Sequence, residues 1–418
     1  MRKHNRPSVS VLAAAVVVVT LAAGCSGSSG PARPSAGPSV TIVVSAPVST
    51  SPWLARFMRT GAQLAAGQIN TRHSLKMNGK RYRVDVKVFD NAGSPQQAAA
   101  NAREAVSLHA AALLIDGVGA AAVADVTGPA DLPTFVVFEG GAGIVDPERR
   151  PTMFRLAPAD KYMTMRLADY LAGKHPQVGI VADDTSYGHD GLESLKAAFR
   201  RDEITVAGQA TVPAGTSDAA TQVLAERRAG VDELIVWASA PVVAAVVQAA
   251  RSAGWTVPIW SGPNGEDPLV RQRLAGHPQW LTGVGFVSFR ITAEVGASPF
   301  AAYRKAYVQA FGDDKVGVKQ HGKDVVQPPD WSMFSYDATN LVAAALARAG
   351  AVGKPLLDTL AGNTVITGAN GDERGYSATT REGVSPDDMY FAQFHGFTFA
   401  PVTDDLLSQN LPTVPQTT

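Results

Sequence analysis

The chain has 418 residues, with 37 basic and 37 acidic side chains, a formal net charge of zero and 45% hydrophobic residues. That length and apolar share suffice for two or three domains with sizeable cores, while the balanced charge argues against a nucleic-acid partner, which needs a concentrated positive field. The single cysteine, Cys25, excludes a disulfide within the chain, so packing must hold the fold together.

At the N-terminus, Arg2, Lys3 and Arg6 precede Val11–Ala23, a run that is apolar except for Thr20. It is too short to span a bilayer, which takes about 20 apolar residues, but has the length of a signal-peptide core. Leu21-Ala22-Ala23-Gly24-Cys25 resembles a bacterial lipoprotein signal, with Ala22 where leucine is commoner; an ordinary secretory signal with an incidental cysteine is the alternative reading. The resemblance implies removal of residues 1–24 and lipid on Cys25, holding the protein to the cell membrane on its extracytoplasmic side. Residues 25–39 are almost entirely Ser, Gly and Pro and read as a flexible tether, and residues 406–418 as a frayed tail. No stretch after the leader is apolar enough for a transmembrane helix.

From residue 40 the chain alternates strand and helix. Strand Val40–Ser45 is followed by helix Trp53–Asn70, strand Tyr82–Phe89, helix Pro95–Leu108, strand Ala112–Asp116, helix Ala120–Thr127 and strand Thr134–Phe138. After Asp160 the rhythm restarts with helix Lys161–Gly173 and strand Val178–Ala182. Helix Gly188–Arg201 carries Leu192, Leu195 and Phe199 on one stripe. Strand Ile204–Val212, helix Asp218–Arg228, strand Glu233–Trp237, helix Pro241–Ala253 and strand Val257–Trp260 follow. The last part contributes helices Pro299–Phe311, Phe334–Ala349 and Lys354–Ala361 and a strand near Met389–Phe394, with the polar piece Asp313–Asp330 read as a surface insertion.

Apolar strands between amphipathic helices predict an α/β fold of two doubly wound parallel-sheet lobes with a hinged cleft. Lobe 1 is expected over 40–159, completed by about 290–388, and lobe 2 over 160–289, completed by about 389–405. The crossovers are expected near Ala159–Asp160, Ser288–Ile291 and Met389–Phe391.

Signals for catalysis are weak. The eight histidines show no metal-ligand spacing. Gly117-Val118-Gly119 lacks the third glycine of a dinucleotide turn, and GxxxxGK[ST] and GxSxG are missing, so neither a cofactor, a metal nor an enzymatic step is expected. Ligands of open α/β sheets bind outside the carboxyl ends of strands. Four such ends are small-residue turns: Gly117–Ala122, Glu139–Gly143, Ala238–Pro241 and Ser261–Gly265. Glycines there either simply let the chain turn or let a ligand approach backbone N–H groups. Tyr187 could stack on a ligand or cover the surface between lobes. Asp160 could cap the helix after it or stand in the cleft. The stripe Phe300, Tyr303, Tyr307 and Phe311 reads as core.

Together these features resemble the type I periplasmic solute-binding proteins of ABC importers, in particular the branched-chain amino acid (leucine/isoleucine/valine) binding family. Ser51-Pro52 with Gly61 and Ile69-Asn70, Phe89-Asp90-Asn91 with Pro95-Gln96-Gln97-Ala98, Tyr187-Gly188, and Ala249–Gly254 before Ser261–Gly265 carry the resemblance. It implies two α/β lobes that close on a small-molecule ligand, no chemical step, and an ABC permease as partner. The family positions that hold the ligand fall on Trp53, Leu54, Ala120, Ala121, Gly140, Gly141, Ala142, Asp160, Tyr187, Ser239 and Asn264. Tyr187 and Asp160 match the family. Ala120 and Ala142 stand where serine and threonine are usual, Asn264 where a glutamate meets the ammonium, and Ser239 near a tyrosine position.

A buried zwitterion needs donors for its carboxylate and acceptors for its ammonium. Each missing partner should weaken amino-acid binding by about 1–3 kcal/mol. Free leucine, isoleucine and valine are therefore expected to be poor ligands, and a less zwitterionic molecule preferred, with Glu139 a possible replacement acceptor. A ligand-sensing lipoprotein that docks a signalling receptor is the competing function on the same fold.

Overall fold

The computed structural model describes residues 37–174, 176–289, 299–362 and 364–402. The leader, Cys25, most of the tether and residues 406–418 lie outside the described residues, as does the expected crossover near Ile291.

Five parallel strands form the first sheet: β1 (Ser39–Ala46), β2 (Arg83–Asp90), β3 (Ala112–Ile115), β4 (Thr134–Val136) and β5 (Met153–Arg155), in the order β2-β1-β3-β4-β5. Val43 of β1 lies opposite Leu113 of β3 and Lys87 of β2. Alternate residues bury on opposite faces, as period-two side chains must. Ile42, Val44, Leu114, Phe135 and Phe154 face one side, and Val43, Leu113, Ile115, Val136 and Met153 the other. Helices α1 (Pro52–Arg72), α2 (Pro95–Ser107) and α3 (Ala120–Thr127) follow β1, β2 and β3. Pro52 and Pro95 open the first two where a missing N–H costs nothing.

The chain then leaves the first sheet. Helix α4 (Asp160–Ala172) leads into β6 (Gln177–Asp183), α5 (Ser186–Arg201), β7 (Thr205–Val212), α6 (Ala220–Arg228), β8 (Glu233–Trp237), α7 (Ala240–Ser252), β9 (Ile259–Ser261), α8 (Pro268–Arg273) and β10 (Val284–Phe289). Beyond it come α9 (Pro299–Phe311), a hairpin of Asp314–Gln320 with Lys323–Gln327, α10 (Ser332–Ala349) and α11 (Lys354–Ala361). Helix α10 packs along α1 of the first sheet, at a distance so short that a Cβ on Gly61 would strike the Ser332 carbonyl. The chain finally returns to the second sheet as β11 (Met389–His395) and β12 (Thr398–Pro401), giving the order β12-β11-β10-β9-β8-β6-β7.

Two sequence expectations need correcting. The second sheet is not wholly parallel, because β11 runs antiparallel to β10 and to β12. Strands β11 and β12 are joined by a tight turn at Gly396, whose φ is +65°, and a turn that short can only connect antiparallel neighbours. The segment Asp313–Asp330 is more than a surface insertion: Val316, Val318 and Val325 are buried in the second sheet's core, and Asp330 is fully enclosed. Of the two readings of Asp160, the helix cap is the one the structure lacks. Ala159 is the N-cap, and Asp160 is the first helical residue, its own N–H donating to the Gly140 carbonyl at 2.9 Å.

Candidate functional site

The carboxyl ends of β1, β2, β3 and β4 on one side, and of β6, β8 and β9 on the other, border one cleft. Its main chamber, about 660 Å³, is lined by Ala120, Ala121, Gly140, Gly141, Ala142, Asp160, Tyr187, Ser239 and Asn264, together with Pro95, Phe138, Glu139, Arg150 and Asp190. An adjoining chamber of about 370 Å³ is lined by Trp53, Leu54, Asp116, Pro241 and Asp267 and shares Val118, Phe138, Glu139, Ser239 and Asn264 with the first. All eleven positions singled out in the sequence border this cleft.

Local chemistry fixes each wall. At the end of β3 the buried Asp116 accepts Asn91 Nδ2 on both oxygens at 3.1 Å, and its Oδ1 also takes the N–H groups of Gly117 and Val118. Gly117 has φ +134° and seats the Glu139 side chain where any Cβ would collide with it. At the end of β4, a Cβ on Gly140 would strike the Asp160 carboxylate. Below them Arg155 Nη1 donates to the Gly141 carbonyl at 2.9 Å.

On the opposite wall Asp183 ties two helix starts together. It accepts Thr185 Oγ1 at 2.5 Å and Ser239 N–H at 2.7 Å, while Thr185 Oγ1 caps α5 through Gly188 N–H. Tyr187 stacks on Trp237 at 6.0 Å and 28°, directly over Gly262. Asn264 Nδ2 donates to the Ala238 carbonyl at 3.1 Å. A Cβ on Gly141 would stand 3.4 Å from Asp190 Oδ2, so the walls approach each other closely here.

Several enclosed polar atoms in the cleft have no hydrogen-bond partner among the described residues: both Asp160 oxygens, the Tyr187 hydroxyl, Ser239 Oγ and Trp53 Nε1. Buried polar groups are nearly always satisfied, so such orphans mark where something else binds. Burial, helped by Asp116, Asp160 and Asp190, pushes the Glu139 carboxyl up to about 8 against the pull of Arg155. Burial raises Asp160 to about 7, again opposed by Arg155 and assisted by Asp190. Asp116 rises to about 6 through burial, held back by the hydrogen bonds from Asn91, Val118 and Gly117. The Tyr187 hydroxyl is pushed well above its ordinary value by burial and the nearby carboxylates.

Asp190, Asp116 and Arg150 border the cleft and Arg155 braces it from below, and none of the four is among the positions expected from the sequence. Asp190 was findable, since it sits three residues after Tyr187 and therefore on the same helix face. Asp116 ends a strand where ligands gather, but the glycines after it drew the reading.

Two α/β sheets with strand ends facing a shared cleft are the architecture of a ligand-binding clamp. Residues 39–397 match the family model of periplasmic binding proteins, and the chain belongs to that family. Its members are solute-binding proteins that act outside the cytoplasm and catalyse no reaction. Among solved structures, the chain is similar to a type 1 periplasmic binding protein from Bordetella pertussis Tohama I, with 18% identity, a TM-score of 0.75, and 87% of this chain and 99% of that one covered. It is also similar to the branched-chain amino acid transporter substrate binding protein LivJ from Streptococcus pneumoniae, in complex with isoleucine, at 19% identity and TM-score 0.71 over 87% and 99% of the chains. A solute binding protein of an ABC transporter from Rhodopseudomonas palustris BisB5, in complex with 3,4-dihydroxybenzoic acid, matches at 18% identity and TM-score 0.70 over 87% and 96%. No curated protein sequence matches the chain. No helix among the described residues is long and apolar enough to cross a membrane.

Proposed function

We propose that this protein is an extracytoplasmic solute-binding lipoprotein that takes a small molecule between its two lobes and hands it to the permease of an ABC importer. The observation that carries the reading is the convergence of unpartnered, enclosed polar atoms from both walls on one cavity: Asp160 from one side, Tyr187 and Ser239 from the other. A ligand that bridges them stabilises the closed arrangement, which is how a two-lobed protein couples binding to recognition by a transporter. Relatives in complex with isoleucine and with 3,4-dihydroxybenzoic acid support a small organic ligand without choosing one. Trp53, Leu54, Ala120, Ala121, Gly140, Gly141, Ala142, Asp160, Tyr187, Ser239 and Asn264 are assigned to the binding surface. Cys25 is assigned the lipid on the strength of Leu21–Gly24 before it.

A metabolite screen by thermal stabilisation tests the function, since a ligand bound only by the folded state raises the melting temperature with its concentration. A stabilising compound that Tyr187→Phe weakens supports the reading; one indifferent to changes at Tyr187, Asp160 and Ser239 overturns the site. For the anchor, wild type should partition into detergent and Cys25→Ala should not. Equal partitioning of the two proteins would refute lipidation.

A further inference from the structure

The polar lining of the cleft is lopsided. Among the described residues, Asp116, Glu139, Asp160, Asp190 and Asp267 border it against one guanidinium, Arg150. Arg150 Nη1 is already engaged by the carbonyls of Gly143 and Ile144 at 2.7 and 3.0 Å. The deeper Arg155 is held by Glu382 and the Gly141 carbonyl. Several of the backbone donors at the strand ends are also taken. Gly117 N–H and Val118 N–H go to the Asp116 carboxylate, Ala120 N–H to the Gly117 carbonyl, and Asp160 N–H to the Gly140 carbonyl. At the Gly117-Val118 turn the protein's own Asp116 thus stands where a carboxylate could be held. What stands open is an acceptor: Asp160 is 2% exposed, and neither of its oxygens has a partner among the described residues.

Resting on the binding-cleft reading above, we propose that the ligand is a small protonated amine without a carboxylate, its ammonium taken up by Asp160 and Glu139 and its apolar body covered by Phe138, Tyr187 and Trp53. A buried carboxylate is costly unless an opposite charge meets it, and a cation supplies that charge where a zwitterion would bring a second anion beside Asp116 and Glu139. The crowded carboxyls hold protons. Glu139 faces Asp116, Asp160 and Asp190, with Arg155 as the opposing cation; Asp160 faces Asp190 and Arg155; and Asp190 has His189 beside it. Burial and this crowding keep Glu139 and Asp160 protonated to about 8 and about 7. An arriving ammonium favours their ionised forms and expels those protons. Alkylamines stay protonated up to about pH 10, as the lysine side chain does, so any gain in affinity below that pH reports the carboxyls.

Calorimetry on the wild-type protein with matched triples decides the matter: leucine, 3-methylbutylamine and 4-methylpentanoate; phenylalanine, phenethylamine and 3-phenylpropanoate. In at least one triple the amine should bind at least tenfold tighter than both its partners. Its affinity should rise at least fivefold between pH 6 and pH 8, with proton release visible as a dependence of the heat on the buffer's ionisation enthalpy. Asp160→Asn and Glu139→Gln should each weaken the amine at least tenfold; if either fails to fold, the wild-type triples and proton count still decide. An amino acid or acid that binds tighter than its amine, an amine affinity flat with pH, or no amine binding at all would overturn the proposal. In that event a screened metabolite whose binding Tyr187→Phe weakens leaves the cleft as the ligand site, and only the amine falls. A stabilising compound indifferent to Tyr187, Asp160 and Ser239 removes both.

Discussion

Arg155 and Glu382 form a two-point ion pair, Nε to Oε2 at 2.7 Å and Nη2 to Oε1 at 2.6 Å, that joins the last strand of the first sheet to the C-terminal third of the chain. The remaining nitrogen supports the loop beneath the cleft through the Gly141 carbonyl. Arg155 is 2% exposed, so removing it leaves a sheltered carboxylate without its partner. Arg155→Met should therefore cost about 3–5 kcal/mol of folding stability. The combined Arg155→Met, Glu382→Gln protein should recover part of that loss. Denaturant melts of the single and double variants measure both effects, and additive losses would show that the pair does not act as a unit.

Tyr187→Phe separates folding from binding. The hydroxyl is enclosed and unpartnered, so its removal should leave the unliganded protein as stable as wild type or up to about 1 kcal/mol more stable. The ring still stacks on Trp237. Affinity for the ligand should drop by about 1–3 kcal/mol, because the hydroxyl's partner belongs to the ligand. Paired thermal melts with and without ligand read both quantities from one sample.

Stability of the unliganded protein should fall as pH rises. In the unfolded chain, aspartate and glutamate lose their protons at about pH 4. Folded, Asp160 and Glu226 keep theirs to about 7 and Glu139 to about 8. Unfolding thus releases protons between about pH 4 and 8, so stability declines across that window and levels off above it. Urea melts at pH 5, 6.5 and 8 should trace the decline; stability rising over that range would contradict it.

Glu226 supplies an internal control for the same effect. It lies over Gly179 and Gly208, paired across β6 and β7, where a Cβ on either would collide with its carboxyl group. Burial alone raises it to about 7, and Oε2 has no partner. Glu226→Gln should stabilise the protein at pH 8 by about 1–3 kcal/mol. At pH 5 it should change little, and ligand affinity should be unaltered at both pH values.

Gly140→Ala should damage the cleft chiefly by displacing Asp160. The new methyl group meets both the Asp160 carboxylate and the Pro158 carbonyl, and the second of these is backbone that cannot swing aside. A loss of about 1–3 kcal/mol is expected from such overpacking. Binding should fall with it, because the Asp160 carboxylate is displaced. Wild-type affinity in a folded Gly140→Ala protein would remove Asp160 from the binding surface.

The alternation of apolar strands and amphipathic helices was enough to read the α/β layers, because parallel strands buried on both faces appear as continuous runs such as Ala112–Ile115. The small-residue turns at the strand ends followed from the same logic, whereas the individual cleft positions, Trp53, Leu54 and Asp160 among them, came from the family resemblance. What stayed hidden depends on contacts distant in sequence. Nothing local to Val316, Val318 and Val325 says that a charged hairpin will cover the second sheet's core. Nor does any spacing pair Arg155 with Glu382. The role of Asp116 was masked for another reason: a carboxylate that satisfies amides of its own loop looks like an ordinary turn residue.

The pairing of Phe289 with Met389 bears on how the molecule is made. Strand β10 emerges from the ribosome long before β11, so Val284–Phe289, buried at every position in the finished protein, first exists as a bare apolar edge. Such an edge invites pairing with other chains. The C-terminal strands therefore act as a late clasp. A polypeptide cut short before Met389 should aggregate rather than form a smaller working version, and the nascent chain cannot complete its second sheet until synthesis is nearly over. For a protein whose family works outside the cytoplasm, that delay keeps the chain open during the interval in which it has to cross a membrane.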